Sequence, residues 1–345
     1  MEYNGRYDFF NVNQIKSYPV SSRTNKVKIE NLVLPQDIGN IKFDISNAAA
    51  KDIDEIAEKV VKFRSQSKPV MFFTGAHLIK NGLGPLVADL VRKDVLTLVG
   101  GNGATAIHDF ELALIGETSE YVPMALEKGQ FGMAYEFSYI NTALSVGNKN
   151  KLGYGESLGR MICEKGFRDE ILKIVATADS PREFKHSQIS VLAACYEKKI
   201  PFTVHAGIGT DVIDQHPSFD GQAKGGCSGR DFLIYTSLAS KLVQGGFVFN
   251  IGSAVTGPEV LLKAVSMAAN VGCIPQGLIT ADFDVRGYEP TQATDESSQG
   301  YYFRDQKSVV TRIPQAFEGK GYYIQGNQKQ TFPYLYKRII EKLNK

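Results

Sequence analysis

Tryptophan is absent from this chain, and neither charge sign dominates: 39 Lys and Arg stand against 37 Asp and Glu, a net charge of +2. The basic residues are spread along the chain, so the electrostatic footprint of a nucleic-acid binder is missing and no nucleic-acid partner is expected. No apolar run approaches the roughly eighteen residues that a spanning helix needs, which argues against a membrane partner. The opening MEYNGRYDFF is polar and aromatic, not basic followed by an apolar stretch, and is not expected to act as a signal peptide. Cysteine occurs only at 163, 195, 227 and 273, with no C-x-x-C pair. These read as reduced thiols, and the expected location is cytoplasmic.

What is present is ordinary core material: 43% hydrophobic residues, with 20 Phe and 16 Tyr. Residues 1–40 read as an N-terminal arm and 41–345 as one α/β domain. A helix capped by Ser46 or Asn47 is predicted to about Phe63, because Ile53, Ile56, Ala57, Val60 and Val61 recur at helical spacing. The run Val70 to Phe73, ending in Thr74 and Gly75, has the all-apolar pattern of a strand buried on both faces. A helix from about Leu78 to Arg92, a strand from Val95 to Val99, a turn through Gly100–Gly103 and a helix through Phe110 and Leu114 follow. Residues 118–197 read as mostly helical, broken near Gly129, Gly155 and Pro181. A second series comprises a strand over Ile200–His205, a polar loop from Ala206 to Gly229, a helix from about Arg230 to Val243 and a strand over Phe247–Ile251. It continues with a helix from Pro258 to Asn270 and a strand over Gly277–Ala281. A polar loop over 284–308, a strand near Tyr322–Ile324 and a helix over Phe332–Leu343 end the chain. The alternation implies a doubly wound, mostly parallel, Rossmann-like sheet with helices on both faces.

In such sheets ligands bind beyond the carboxyl ends of the strands, where loops and helix N-termini converge. Compact polar residues recur at those places. After successive strands come Thr74, Gly75, His77, Lys80 and Asn81; Asn102, Gly103, His108 and Asp109; His205, Asp211, His216 and Asp220; Asn250, Gly252 and Ser253; and Asp282 and Asp284. The pattern points to a binding crevice. Glycines near 100–103 permit close backbone approach, but GGNGATA is not the G-x-G-x-x-G fingerprint, and a tight turn explains them equally well. Asp282 and Asp284, at alternate positions, could share a face and attract a cationic ligand. His205, Asp211, His216 and Asp220 have metal-ligand chemistry but no defensible spacing, so no metal is assigned. His108 and Asp109, being adjacent on a helix, face different directions and make a poor catalytic pair.

The stretches TGAHLIKNGLGPLVADLV, GGNGATAIHDFELAL, IPFTVHAGIGTDVI, GGFVFNIGSAV and YYIQGNQKQTFPYLY resemble deoxyhypusine synthase and the bacterial deoxyhypusine-synthase-like proteins. The resemblance runs from about residue 70 to 336. It implies NAD bound at the strand ends, a homotetramer with sites at dimer interfaces, and a mobile arm. It also implies cofactor contacts from the segment Thr74, Gly75, His77 and Asn81, and from Asn102, Gly103, Ala104 and Thr105. Asp211 is similar to an acidic residue that binds polyamine in that family. The family's imine-forming lysine lies in a Ser-Trp-Gly-Lys-Ile-Arg segment, and the matching stretch here is Ser308 to Ile313, with Arg312 in the lysine's place. A guanidinium stays protonated and forms no Schiff base.

These readings lead to an expected NAD-binding enzyme, transferase-like or oxidoreductase-like, that acts on a small amine or amino-acid-like metabolite without a lysine imine. His205 or His108 is the expected base, because an imidazole titrates near neutral pH. Arg312 would meet an anionic group on the ligand. Asp211, Asn250, Ser253, Asp282, Asp284 and Asn327 would contact the substrate. Two alternatives stand beside this: a non-catalytic ligand-binding or scaffold oligomer, and a metal-dependent lyase or hydrolase built on His205 and His216.

Overall fold

The computed structural model describes residues 3–177 and 180–344; Met1 and Glu2 of the expected arm lie outside it, as do Ala178 and Asp179 of the helical middle. Its strands are β1 (Asn25–Lys28), β2 (Val70–Thr74), β3 (Leu98–Gly101), β4 (Glu117–Glu120), β5 (Phe202–Val204), β6 (Phe247–Ile251), β7 (Ile279–Asp284) and β8 (Lys320–Gln325). Six of them form one sheet in the order β5-β3-β2-β6-β7-β8, with every neighbouring pair parallel. The expected doubly wound α/β architecture is present. The chain leaves β2 toward β3 and β5, then returns to the other side of β2 for β6, β7 and β8. The order therefore reverses between β2 and β6, which makes their carboxyl ends the topological switch point.

Residues 247, 249 and 251 alternate with 248 and 250, and the two faces of the sheet bury different partners. Phe72, Phe249 and Ile251 belong to the larger apolar cluster with Ile53, Ile56, Leu86 and Phe332. Met71, Phe73, Leu98 and Val248 pack on the other side with Tyr235, Leu242, Leu261, Val309 and Ile313. Helices Asn47–Ser65, Gly84–Arg92 and Gln328–Leu343 supply the first cover; Gly221–Ala239 and Thr256–Asn270 supply the second.

Several expected boundaries move. The helix expected over Leu78–Arg92 is two helices, Ala76–Lys80 and Gly84–Arg92, separated at Gly82, whose φ of +79° is readily adopted only by glycine. The arm is clipped to that break: Val33 N donates to the Gly82 carbonyl at 2.9 Å, and a Cβ on Gly82 would overlap the Asn31 carbonyl. Elsewhere the arm is also tied down, since β1 pairs antiparallel with β4, Asn25 opposite Glu120, and Val20, Val27, Leu32 and Ile38 are buried. The strand expected at Val95–Val99 starts at Leu98, and the one expected at Gly277–Ala281 runs instead from Ile279 to Asp284. Asp282 and Asp284 are thus members of β7, not residues beyond it. The polar loop expected to reach Gly229 stops at Asp220, which caps the helix Gly221–Ala239 through bonds from Gln222 N and Ala223 N. The middle section carries β4 and the separate helices Val122–Glu127, Phe137–Lys149, Tyr154–Cys163, Lys165–Val175 and Val191–Lys198, with Gly155 inside a helix. The loop expected over 284–308 gives way at Asp305 to a buried π-helical segment, Asp305–Arg312.

Candidate functional site

At the switch point the two halves of the sheet meet through glycine. A Cβ on Gly75 would overlap the Gly252 carbonyl, so the ends of β2 and β6 approach closely because residue 75 lacks a side chain, while Gly252 itself has a φ of +67° that favours glycine. Thr74, buried at the tip of β2, donates from Oγ1 to the Gly75 and Ile251 carbonyls at 3.0 and 3.2 Å. Thr105 Oγ1 donates to the Thr74 carbonyl at 3.2 Å and to Asn102 Oδ1 at 2.9 Å, while Thr105 N also donates to Asn102 Oδ1. Asn102 thereby caps the helix Gly103–Ile115, whose N-terminal amides face the same end of the sheet. On the first face, Asn81 Nδ2 donates to Gln328 Oε1 at 3.0 Å, and Gln328 in turn lies against Gly252. Thr74, Gly75, Asn81, Asn102, Gly103 and Thr105 lie together at this end of the sheet, and Ala104 is half-buried beside them. His77 is exposed on the first turn after β2, and among the described residues its ring makes no hydrogen bond. Burial, then Lys80 and His108, lower its pKa below the ordinary imidazole value. Gln328 was not foreseen; the only sequence signal is its place directly after Asn327 at the start of the last helix.

One strand over, Asn250 is buried and donates from Nδ2 to the Ser253 carbonyl at 2.9 Å and to Asp282 Oδ1 at 2.7 Å. The pair sits in register across β6 and β7. Among the described residues, Asn250 Oδ1 and Asp282 Oδ2 are buried with no hydrogen-bond partner. Burial, then the charge of Asp305, push the Asp282 carboxyl well above its usual range, against the donation from Asn250. Ser253 Oγ accepts from Gly257 N at 2.9 Å and so starts the helix Thr256–Asn270. Asp284 lies on the same face of β7 as Asp282, as alternation required, but its state differs. It pairs with Arg286, which also holds Asp305. Burial alone would raise Asp284; Arg286 outweighs it and holds the carboxyl below its ordinary range. The expected acidic pair is therefore one ion-paired carboxylate and one deeply buried acid.

Other expected site residues carry structural duties. Asp211 Oδ2 accepts from Lys224 Nζ at 2.8 Å, and Asp214 Oδ1 from the same ammonium at 2.5 Å, with all three side chains at most 6% exposed. Lys224 also donates to the Gly207 carbonyl, which fixes the loop beyond β5. Asp211 presses against Gly103, where a Cβ would overlap its carboxylate. His205 is buried between Phe73 and Tyr235, its Nε2 3.1 Å from Thr203 Oγ1, and burial lowers its pKa to about 4. His216 Nδ1 meets Ser218 Oγ at 2.7 Å, and burial brings its pKa to about 4 as well. His108 Nδ1 lies 2.7 Å from Thr118 Oγ1 and belongs to a buried group with Glu111 and Arg23. Asp109 caps another helix, accepting from Ser190 Oγ, Val191 N and Leu192 N. Asn327 caps the last helix through Lys329 N. Arg312 is exposed and rests on Tyr301, with Nη2 3.3 Å from the phenol oxygen.

Among the described residues no group of three or more His, Cys, Asp or Glu side chains is arranged to hold a metal ion, so His205, Asp211, His216 and Asp220 do not converge. None of the described helices is long and apolar enough to cross a membrane. A separate cavity of about 670 Å³, lined by Cys163, Cys195, Tyr196 and Phe202 among others, opens where β5 begins, at the opposite end of the sheet.

No family model matches the chain, and no curated protein matches it. Among solved structures, it is similar to ArgZ, an arginine dihydrolase from the ornithine-ammonia cycle in cyanobacteria, with 17% identity and a TM-score of 0.47 over 88% of this chain and 34% of that one. It is also similar to AgrE, solved as a ternary complex with ornithine and NAD+, at 16% identity and a TM-score of 0.46 over 88% of this chain and 34% of that one. A LOR/SDH protein from Methanococcus maripaludis S2 is similar at 14% identity and a TM-score of 0.48, over 88% of this chain and 74% of that one. The chain spans about a third of the length of ArgZ and AgrE.

Proposed function

We propose that this protein is an NAD-binding enzyme that acts on a small polar metabolite bearing an amine, such as an amino acid. The observation that carries the reading is the reversal of strand order between β2 and β6, where glycines close the strand ends and a capped helix N-terminus lies at the same end of the sheet. Gly75, Asn81, Asn102, Gly103, Ala104 and Thr105 would line the dinucleotide's path, since amides and short side chains allow close approach of phosphate and ribose. When bound, the nicotinamide would supply a hydride acceptor or donor.

Asn250 and Asp282 supply the amine preference. Asn250 Oδ1 would gain a donor from an ammonium or amino group, and the positive charge of a bound ammonium would favour ionisation of the buried Asp282 carboxyl, which then accepts from it through Oδ2. Proton movement at neutral pH would fall to His77. His205 is held neutral down to about pH 4 and enclosed by rings, and His108 is committed to Thr118. Arg312, on the exposed surface, would not reach this crevice. The kinship with deoxyhypusine-synthase-like proteins, a homo-oligomeric assembly and a cytoplasmic location remain part of the proposal, on the sequence stretches and thiol usage given above.

The test is calorimetric titration with NAD+ and NADH, with thermal melting alongside. The expected result is saturable binding and a raised melting temperature; the absence of both at millimolar cofactor ends the cofactor reading. Asp282→Ala should leave cofactor binding intact and weaken binding of amine-bearing ligands at least tenfold.

A further inference from the structure

Helix Gly221–Ala239 shows an unusual outer surface. A helix covering a sheet normally turns charged residues to solvent. Here the exposed positions are Gln222, Gly225, Gly229, Leu233 and Ser237, spaced three or four apart on one stripe. The charges on this helix are spent elsewhere: Lys224 and Asp231 are buried, and Arg230 donates to the Leu152 carbonyl and Asn148 Oδ1. Glycine is a poor helix former, and a Cβ at Gly225 or Gly229 would meet nothing within 4 Å. Among the described residues no contact therefore requires glycine at either position. Beside this stripe, between it and the helix Thr256–Asn270, runs a groove of about 580 Å³ without a charged residue in its lining. Its rim exposes Leu233 at 59%, Met267 at 40% and Val271 at 73%.

We infer that this face is a two-fold interface with a second copy of the chain. A two-fold contact is isologous, so the face must complement itself. The glycine stripe and the groove beside it carry no charge and so meet their own copies without like-charge repulsion. The shape condition is also met: Gly225 and Leu233 lie four residues to either side of Gly229. With the axis at Gly229 and the two helices antiparallel, Leu233 of each copy falls opposite Gly225 of the other, a knob facing a hole, while Gly229 meets Gly229. Residues 225, 229 and 233 form an i±4 row, the kind of ridge that packs into a neighbouring helix's groove. The two adjoining helices have 19 and 15 residues; at about 1.5 Å per residue and about 10 Å wide they present roughly 500 Å² in projection. That is roughly three fifths of the ~800 Å² per partner of a standard specific interface, and in total it matches the ~1,000 Å² that a biological contact must clear.

The seam deepens the proposed homo-oligomer reading, and the experiment separates the two. Sedimentation equilibrium of the full chain should show an assembly whose mass halves in Gly229→Glu and in Leu233→Asp, with circular dichroism unchanged. Gly229→Cys should form an intermolecular disulfide under mild oxidation that the wild-type chain, with its own four thiols, does not form; this arm decides if the charged variants fail to fold. A wild-type assembly that keeps its mass in both variants, with no crosslink at 229, overturns the seam and leaves the oligomer standing. A monomeric wild-type chain overturns both.

Discussion

Lys224 Nζ lies 2.8 Å from Asp211 Oδ2 inside a site where the lysine is 1% exposed, so one buried ammonium holds two carboxylates and the Gly207 carbonyl together. Removing one member of such a group leaves uncompensated charge, which typically destabilises by about 3–5 kcal/mol. Lys224→Met should therefore lower the urea midpoint markedly and raise hydrogen exchange across residues 207–216. Adding Asp211→Asn and Asp214→Asn should recover much of the loss. A single variant as stable as wild type would show that the cluster is not under this tension.

Arg23 and Glu111 predict an acid limb. Burial alone would raise the Glu111 carboxyl; Arg23, His108 and Thr118 outweigh it and bring its pKa to about 2, against an ordinary 4.5. The folded state thus holds the ionised form more tightly than the unfolded chain does. That stability is present above pH 4.5 and is lost as pH falls toward 2, a total on the order of 3 kcal/mol. Glu111→Gln should flatten this part of a denaturation series run from pH 5 to pH 2.

His205 and His216 act in a neighbouring window. Both rings are held neutral by burial, with folded pKa values of about 4 against 6.5. The unfolded chain takes up protons first, so stability falls as pH drops from about 6.5 to 4. His205→Gln should reduce that slope, and imidazole NMR shifts should show His205 still neutral at pH 5. A ring that titrates near 6.5 would refute the enclosure by Phe73 and Tyr235.

Asp282→Asn should separate stability from binding. The Asp282 carboxyl is raised by burial and Asp305, so ionising it opposes the fold, and stability declines as pH climbs above the unfolded value near 3.8. The amide keeps an acceptor toward Asn250 Nδ2 and carries no charge. The variant should melt at a higher temperature than wild type at pH 8, by a few degrees, while binding amine ligands less well. Equal melting at pH 8 would indicate that Asp282 already has a partner there.

The sheet was legible because its strands are short apolar runs bounded by turn residues, and Val70–Thr74 and Phe247–Ile251 announce themselves on composition alone. Alternation of strands and helices was enough to place polar groups at the carboxyl ends. Less was legible in residues whose role depends on a distant partner. Asp211 and Asp109 look like ligand contacts on the strand-end rule, yet one binds Lys224 and the other the N-terminus of the helix Val191–Lys198, partners that only the fold brings near; Asp220 and Asn327 look the same and cap the helices that start directly after them. Polarity marks such residues, but cannot say whether they face solute or backbone. The helix starting at Gly221 was hidden for a different reason: Gly221, Gly225, Gly226 and Gly229 read as loop, and their helical state is imposed by the cap at Asp220 and by packing of Ala223, Cys227 and Asp231. The π-helical turn at Asp305–Arg312 carries no compositional mark at all.

The backbone bond from Val33 to Gly82 ties the leading segment to the hinge between the first two helices after β2. Truncation through residue 33 would leave that carbonyl bare and loosen the turn that carries His77 and Asn81. Shortened versions of this chain should accordingly show altered ligand response before any loss of secondary structure, so trimming its beginning would be felt first at the mouth of the crevice.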